Sequence, residues 1–225
     1  MAHTPLRTPE PTRSAQSQVG GKPARERTLR AAGRRNVARM LDASLVVFAE
    51  RGYHAARVDD ICAEAAISHG TFYIYFASKD DLFGSLVDEV VASMDELARA
   101  LPPVEAGAGG LRALRSWLGD FYELYARYFP VIQAWNEANA SDADLARRGA
   151  RVLRSFIDRL VDRVEELASV PVEDPRVASL AMVSMIERSI TFALARVVPV
   201  DPDELLDNLA RILHVGLFGG VRARR

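Results

Sequence analysis

Apolar residues recur along most of this chain at intervals of three and four residues, which is the period of an amphipathic α-helix. The first such stripe predicts a helix over residues 34–51, whose apolar face holds Val37, Met40, Leu41, Leu45 and Phe48. Gly52 follows at the position that a helix C-cap favours, because glycine reaches positive φ without a Cβ clash. The pattern therefore predicts that the first helix stops at Gly52.

Three further helical segments follow the first helix. Residues 58–65 and 69–75 predict two short helices, and Ser68 stands where its hydroxyl can cap the second of them. A longer helix starts at Ser78, where Asp81 supplies an Asp version of the capping box, and it continues through Leu97. The two prolines that follow at 102 and 103 end it, since proline cannot continue the hydrogen-bond ladder.

The rest of the chain is predicted to be helical as well. The pattern favours helices over residues 111–129, 142–169, 174–198 and 203–218, with a separate short helix around Trp135 after a break at Pro130. We find no alternating strand pattern, no Asn-Gly hairpin signal and no internal repeat. We therefore expect an all-α fold.

Charge is distributed unevenly along the chain. The first 40 residues hold nine Lys or Arg and two Glu, a net charge of +7, so the rest carries −8 of the total of −1. A basic end on an acidic body indicates a polyanionic partner, although a solvated tail without a role would have the same composition. Residues 1–28 are rich in Pro, Ser, Thr, Gly and Arg, and this composition predicts a disordered arm.

Several protein classes lack support in the sequence. The longest stretch without a charged residue, 65–78, is shorter than the roughly 20 residues that span a bilayer, and residues 1–20 contain no apolar signal region. Cys62 is the only cysteine, so no intrachain disulfide or thiolate metal cluster is expected. The four histidines are scattered, and we find no phosphate loop, serine elbow or His-Glu-x-x-His motif. We expect a cytoplasmic protein that is not an enzyme and uses no metal or cofactor.

The two short helices carry a specific motif. Residues 66–68 join them, which fits a helix-turn-helix. Residues 68–79 read SHGTFYIYFASK, and together with Gly52, Tyr53 and residues 58–61 they resemble the N-terminal domain of the tetracycline-repressor (TetR) family over about residues 34–95. Arg57 stands where that family usually has a capping threonine, and Ala66 lies in a turn where it often has glycine.

The resemblance implies a dimeric transcriptional repressor that binds an imperfect palindromic operator through the helix-turn-helix at about residues 57–76 and is released by a small, apolar effector. It divides the chain into an arm over residues 1–28, a helix-turn-helix DNA-binding domain over 29–95, and a helical ligand-binding and dimerisation domain over 96–225 that ends in a two-helix dimer interface. The homodimer, double-stranded operator DNA and an unknown effector are the implied partners. A TetR-like activator, or a helical ligand-binding protein that no longer reads DNA specifically, remains an alternative.

The N-terminal residues of a recognition helix face base edges in the major groove. His69 can donate or accept there, Gly70 permits close backbone approach, and Lys79 at the start of the fourth helix can clamp a phosphate. The expected DNA contacts are Arg34, Arg35, Arg57, Ser68, His69, Gly70, Thr71, Tyr73, Tyr75 and Lys79. Tyr75 is also a candidate core aromatic, and inward orientation is expected for Phe72, Ile74 and Phe76.

The family's ligand pocket and dimer interface are expected in the C-terminal helices. The pocket candidates, which would equally suit an ordinary aromatic core, are Trp117, Phe121, Tyr125, Trp135, Asn136, Glu137, Met182 and Phe192. A stripe too wide to bury on one partner predicts a dimer interface that contains Ala181, Met185, Leu206, Leu209, Leu213 and Leu217. Glu187 and Arg188 are interpreted as a structural or interface ion pair, and the apolar bias favours an apolar or amphipathic effector.

Overall fold

The computed structural model describes residues 31–103, 105, 107–139, 143–167 and 174–218, and it is all-helical over these ranges. The predicted arm over residues 1–28 lies outside them. Eight α-helices and one short π-helical turn form the described part, in the order α1 Ala31–Ala55, α2 Val58–Glu64, α3 His69–Tyr75, α4 Lys79–Arg99, α5 Ala108–Asn139, α6 Ala143–Leu167, α7 Pro175–Leu194, α8 Pro202–Leu213 and the π turn His214–Phe218.

Local capping accounts for most helix boundaries. Ser68 and Ser78 accept hydrogen bonds from the backbone N–H groups three residues later, and Asp174 and Asp201 do the same at the starts of α7 and α8. Gly52 has φ 73° and ψ 160°, so the regular part of α1 stops there and a further short turn leads to Ala55. The predicted positive φ at Gly52 and the predicted caps at Ser68 and Ser78 are confirmed.

The first four helices surround an N-terminal core. Its fully buried centre consists of Met40 from α1, Ile61 from α2, Phe72 from α3 and Leu82 and Leu86 from α4. These residues lie on the apolar faces that the sequence pattern identified. The core therefore holds the two short helices against the longer α1 and α4.

A second core lies between the end of α4 and helices α5 to α8. Leu114, Leu118, Phe121, Leu160 and Ile186 are among its most deeply buried members. The indole of Trp117 in α5 donates a hydrogen bond to the carbonyl oxygen of Leu97 in α4 at 2.8 Å. This bond satisfies a buried polar group and ties α5 to the end of α4.

Helix α5 is continuous through Pro130, so the predicted break at this residue is wrong. Residues before the proline, such as Phe121 and Tyr125, pack in the C-terminal core, whereas Val131 and Ala134 after it pack in the N-terminal core. Proline removes one backbone hydrogen bond and crowds the preceding turn, a local cost that packing on both sides can outweigh. One helix therefore contributes to both cores.

Helix α7 is long and apolar enough, by length and composition alone, to cross a membrane. Four of its apolar side chains, Met182, Val183, Ile186 and Ile190, are buried in the C-terminal core. Its composition therefore fits a core helix with a second, exposed apolar face.

Candidate DNA-binding surface and helical core

The turn between α2 and α3 is tight and strained at one residue. Ala66 adopts φ 50°, the left-handed region in which a Cβ atom is unfavourable. The N–H of Ile67 donates to the carbonyl oxygen of Cys62 at 3.0 Å, which closes the end of α2. The TetR family often has glycine in this turn, and the positive φ at Ala66 supplies a physical reason for that preference.

Helix α3 presents a polar and aromatic face to solvent. His69 and Gly70 are exposed at its start, and Tyr73 is 54% exposed one turn later. On the opposite face, Phe72 and Phe76 are buried as predicted, but Ile74 is 57% exposed, so the prediction that it points inward is wrong. Phe72 in α3 and Phe76 directly after it are four residues apart and face the core, whereas Ile74 lies halfway between them, on the other side of the helix.

Three of the hydroxyl-bearing candidates on and beside α3, namely Ser68, Thr71 and Tyr75, are hydrogen-bonded within the protein. Ser68 Oγ accepts from the N–H of Thr71 at 3.1 Å and lies 2.9 Å from Thr71 Oγ1. The hydroxyl of Tyr75 accepts a hydrogen bond from the amide of Asn36 at 3.4 Å, and its ring packs against the N-terminal core. Tyr75 therefore links α3 to α1, and a contact with DNA from this residue stays a prediction.

Arg57 precedes α2 and is exposed. A guanidinium cannot accept a hydrogen bond, so Arg57 does not replace the side-chain cap that the family's threonine would supply. Instead, the carboxylate of Asp60 accepts from the backbone N–H of Arg57 at 3.0 Å, and it lies 3.5 Å from the guanidinium of Arg51. The start of α2 is thus held by Asp60, and the Arg57 guanidinium points to solvent.

Lys79 has two backbone partners. Its Nζ donates to the carbonyl oxygen of Tyr53 at 2.7 Å and to that of Ala56 at 2.9 Å, and it lies 4.5 Å from the centre of the Tyr53 ring. The Tyr53 hydroxyl in turn donates to Asp80. Burial, with the nearby Asp80 carboxylate adding to it, raises the pKa of Tyr53 well above its usual range. Sequence reasoning missed this arrangement, because no short-range pattern connects Lys79 with Tyr53.

Helix α1 carries basic residues on its first turns. Arg34 and Arg35 are both exposed on the first turns of α1. One turn later, the guanidinium of Arg39 donates to the carbonyl oxygen of Ala65, which fixes α1 against the turn of the helix-turn-helix. Arg39 therefore lies beside the helix-turn-helix, whereas Arg34 borders a groove that Asp42, Glu89 and Arg127 also line. Contacts of Arg34 and Arg35 with DNA stay predictions.

The C-terminal core brings together four of the predicted pocket residues. Trp117, Phe121, Tyr125 and Met182 are all buried there, and the Phe121 and Tyr125 rings stack at 6.1 Å between centroids. Glu187 in α7 closes the edge of this group: its carboxylate accepts from the Tyr125 hydroxyl at 2.7 Å. Burial, with the Glu187 carboxylate adding to it, raises the pKa of Tyr125 well above its usual range.

Two other pocket candidates lie elsewhere. Trp135 packs against the N-terminal core, 6.5 Å from the Phe83 ring, so its assignment to the pocket is wrong. Phe192 is 41% exposed, with the guanidinium of Arg188 5.7 Å from its ring centre, so it does not line a buried pocket either. The side chains of Asn136 and Glu137 lie outside the described residues.

Glu187 also contacts two neighbours on its own helix. Thr191 Oγ1 donates to its carboxylate at 3.1 Å, and the guanidinium of Arg188 lies 3.8 Å from it. This distance confirms the interpretation of Glu187 and Arg188 as an ion pair. The hydroxyl of Tyr125, which sequence spacing could not place beside α7, is the additional partner.

The dimer stripe predicted on the last helix divides into two faces. Leu206, Leu209 and Leu213 are buried in the core of their own chain, so their assignment to a dimer surface is wrong. Ala181 and Met185 are exposed as that assignment requires, and the side chain of Leu217 lies outside the described residues. The exposed apolar face of α7, α8 and the π turn consists of Val177, Leu180, Met185, Phe192, Ile212 and Val215.

Possible metal ligands do not cluster in the described ranges. No group of three or more His, Cys, Asp or Glu side chains there could hold a metal ion.

Cys62 is buried as a free thiol in α2, and burial raises its pKa, as expected for an unreactive packing residue.

Residues 40–86 match the family model described as bacterial regulatory proteins, tetR family. The chain is 26% identical over 213 residues to the HTH-type transcriptional regulator EthR of Mycobacterium tuberculosis strain H37Rv, covering 92% of this chain and 98% of that protein. It is 36% identical over 122 residues to the fatty acid metabolism regulator protein of Bacillus subtilis strain 168, covering 54% of this chain and 62% of that protein.

Solved structures show the same fold. The regulator FadR from Bacillus subtilis in complex with stearoyl-CoA aligns with a TM-score of 0.62 and 22% identity, covering 80% of this chain and 98% of that chain. The fatty acid degradation regulator FadR from Bacillus halodurans aligns with a TM-score of 0.64 and 22% identity, covering 88% of this chain and all of that one.

Proposed function

This chain belongs to the TetR family of helix-turn-helix transcriptional regulators, and on that premise we propose that it is a dimeric repressor released from its operator by an amphipathic acyl ligand. We assign DNA binding to residues 29–95 and effector binding and dimerisation to residues 96–225, with the second half of α5 packed against the DNA-binding part. The protein acts on DNA rather than as an enzyme, and it acts in the cytoplasm.

The observation that carries the proposal is the exposed start of α3. His69, Gly70 and Tyr73 are held outward by a helix whose other face, with Phe72 and Phe76, is anchored in the N-terminal core. A helix anchored in this way can enter a major groove without unfolding its own domain. The exposed arginines of α1 supply phosphate contacts that are independent of sequence.

Dimerisation is supported by the exposed apolar face on α7, α8 and the π turn. Val177, Leu180, Phe192, Ile212 and Val215 are each 41–67% exposed, and burial of such apolar side chains against a partner is favourable. A second copy of the same face would cover it under two-fold symmetry. Two recognition helices would then read an inverted repeat.

The effector class is inferred from the C-terminal core and from the relatives. The aromatic and aliphatic side chains of the C-terminal core offer apolar contact for an acyl chain. One structural neighbour is described as a complex with stearoyl-CoA, and one relative as a fatty acid metabolism regulator. We therefore propose a long-chain acyl thioester as the effector.

Helix α5 provides a physical link from that core to the DNA-binding part. Arg127 lies just before Pro130 and donates to Asp42 of α1 at 2.8 Å, while Tyr128 donates to Glu89 of α4 at 2.7 Å. A ligand that shifts α5 would therefore shift α1 and α4 with it. Such coupling requires that the ligand binds one arrangement of the dimer more tightly than the other.

The test is selection of bound sequences from a random DNA pool with the purified chain, at about 150 mM salt so that unspecific phosphate contacts are screened. We expect an inverted repeat, and we expect stearoyl-CoA, but not coenzyme A alone, to release the protein from it. A folded dimer that enriches no motif would contradict the proposal and favour a ligand-binding protein without specific DNA recognition. If a repeat is enriched but acyl-CoA does not release the protein from it, the result would support the regulator function and reject an acyl thioester as the effector.

A further inference from the structure

The imidazole of His69 is held by two neighbours on the face that α3 presents to solvent. Its Nε2 atom pairs with Oδ1 of Asp59, a residue in the first turn of α2. Its ring lies beside the ring of Tyr73, one turn further along α3, at a centroid separation of 6.2 Å. All three side chains are more than half exposed, so they remain accessible to a partner.

The contact with Asp59 decides which ring nitrogen of His69 carries a proton. A neutral imidazole has one N–H donor and one acceptor nitrogen, and the two tautomers exchange these roles. An ionised carboxylate only accepts hydrogen bonds, so its pairing with Nε2 places the proton on Nε2. In the neutral ring, Nδ1 is then left as an acceptor.

We propose that Asp59 is a specificity-determining positioning residue, which holds His69 in the tautomer whose Nδ1 accepts a hydrogen bond from a base amino group. In the major groove such amino groups belong to adenine at N6 and cytosine at N4, whereas guanine offers the acceptors O6 and N7. His69 held in this way selects adenine or cytosine. The inference rests on the proposed function, since it requires α3 to enter the major groove.

A purely structural role for Asp59 predicts something different. An acidic side chain in the first turn of a helix interacts favourably with the helix dipole. If that were its whole contribution, removing it would loosen α2 and weaken binding to every sequence alike. It would not alter the preference at one base position.

The experiment compares four proteins by selection and sequencing at about pH 8, which is above the ordinary pKa of a free imidazole. They are the wild type and the variants Asp59→Ala, His69→Ala and Asp59→Ala combined with His69→Ala. We expect one half-site position in the wild-type repeat to prefer adenine or cytosine and to lose this preference in His69→Ala. Asp59→Ala should lower the same preference about three- to tenfold, and the double variant should match His69→Ala.

Glu64→Ala is the matched control. Glu64 is exposed at the other end of α2, so its removal deletes the same charge from the same helix. The Glu64→Ala variant should bind all DNA sequences slightly more tightly, because one carboxylate fewer repels the phosphates, and its base profile should stay unchanged. An equal change of profile in Glu64→Ala and Asp59→Ala would overturn the inference.

A second readout examines the ring without DNA. In ¹⁵N-labelled protein, with the His69 signals assigned from their loss in His69→Ala, the wild-type ring should show a protonated Nε2 and an unprotonated Nδ1. Asp59→Ala should give averaged shifts from a mixture of tautomers. Identical ring shifts in the two proteins would overturn the inference.

The two proposals fail in distinguishable ways. A wild-type repeat whose profile survives Asp59→Ala, or that prefers guanine at the His69 position, rejects the role of Asp59 and leaves the regulator intact. A wild-type protein that enriches no repeat rejects the DNA-binding function, and this inference with it.

Discussion

Lys79, the first residue of α4, donates a hydrogen bond from Nζ to the carbonyl oxygen of Tyr53, just beyond the positive-φ turn at Gly52, at a distance of 2.7 Å. The same ammonium donates to Ala56 at 2.9 Å. Two of its three N–H groups therefore satisfy carbonyl oxygens at the end of α1. The predicted phosphate contact can use only the third, so Lys79 joins α1 and α4 whether or not DNA is present.

Lys79→Met should therefore destabilise the protein in the absence of DNA. Two carbonyl oxygens lose a charged donor, which costs about 1–3 kcal/mol of unfolding free energy. Urea denaturation followed by circular dichroism measures this loss. Arg35→Ala, which removes an exposed cation from α1, is the control and should leave the midpoint unchanged. Equal stability of Lys79→Met and the wild type would mean that the ammonium acts on DNA alone.

Ala66→Gly should stabilise the helix-turn-helix. Ala66 has φ 50°, and relief of this conformation outweighs the greater flexibility of glycine in the unfolded chain by about 0.5–1 kcal/mol. The measurement is the shift of the thermal midpoint. Ala63→Gly, an exposed position inside α2, is the matched control and should lower stability by about 1 kcal/mol. A loss of stability in both variants would contradict the argument from φ.

Pro130→Ala should raise the unfolding free energy by about 1–3 kcal/mol, because an alanine at this position restores the N–H that α5 lacks and removes the clash of the proline ring. Urea titration measures the gain. Since α5 packs in both cores, we also expect altered acyl-CoA release from DNA in this variant. A less stable Pro130→Ala protein would indicate that the packing on both sides depends on the proline ring itself.

Ile212→Glu should convert the proposed dimer into monomers. Ile212 is 55% exposed on α8, and a carboxylate placed in the proposed interface would be buried without a partner. Light scattering coupled to size-exclusion chromatography measures the molar mass in solution and so distinguishes a monomer from a dimer. Leu153→Glu adds the same charge at a 49% exposed leucine on α6, outside the proposed interface, and should remain dimeric. If the Ile212→Glu variant remained dimeric, the dimer interface would have to lie on another surface of the protein.

Tyr125 should make stability fall in strongly alkaline solution. Its pKa is raised in the folded state by burial and by Glu187, so the folded protein retains a proton that the unfolded chain releases. The stability that Tyr125 contributes in this way is fully present below the ordinary phenol pKa of about 10, and it decreases as the pH rises above that value. Urea unfolding at about pH 9 and pH 11 should show a smaller decrease in Tyr125→Phe than in the wild type. A decrease of equal size would show that other groups, such as Tyr53, dominate.

Much of the DNA-binding part could be predicted from the sequence, because its signals are local. Three kinds of feature depend only on residues within one or two helical turns. They are the helix caps at Ser68 and Ser78, the positive φ at Gly52, and the burial of Phe72 and Phe76. The errors arose where the outcome depends on distant partners. Pro130 remains helical because two cores hold its flanks, and Trp135 packs with Phe83 rather than with Trp117.

The amino-acid sequence by itself determined the helical class, the helix-turn-helix and the resemblance to the TetR family, since periodicity, caps and a contiguous motif are read over short spans of chain. Only the tertiary structure decided which face of each C-terminal helix is buried, because a wide apolar stripe such as Leu206, Leu209 and Ile212 contains both a core face and an exposed face. It also decided the partners of Lys79, His69 and Tyr125. Hydrogen bonds between helices depend on how the helices pack, and spacing along the chain does not encode that packing locally.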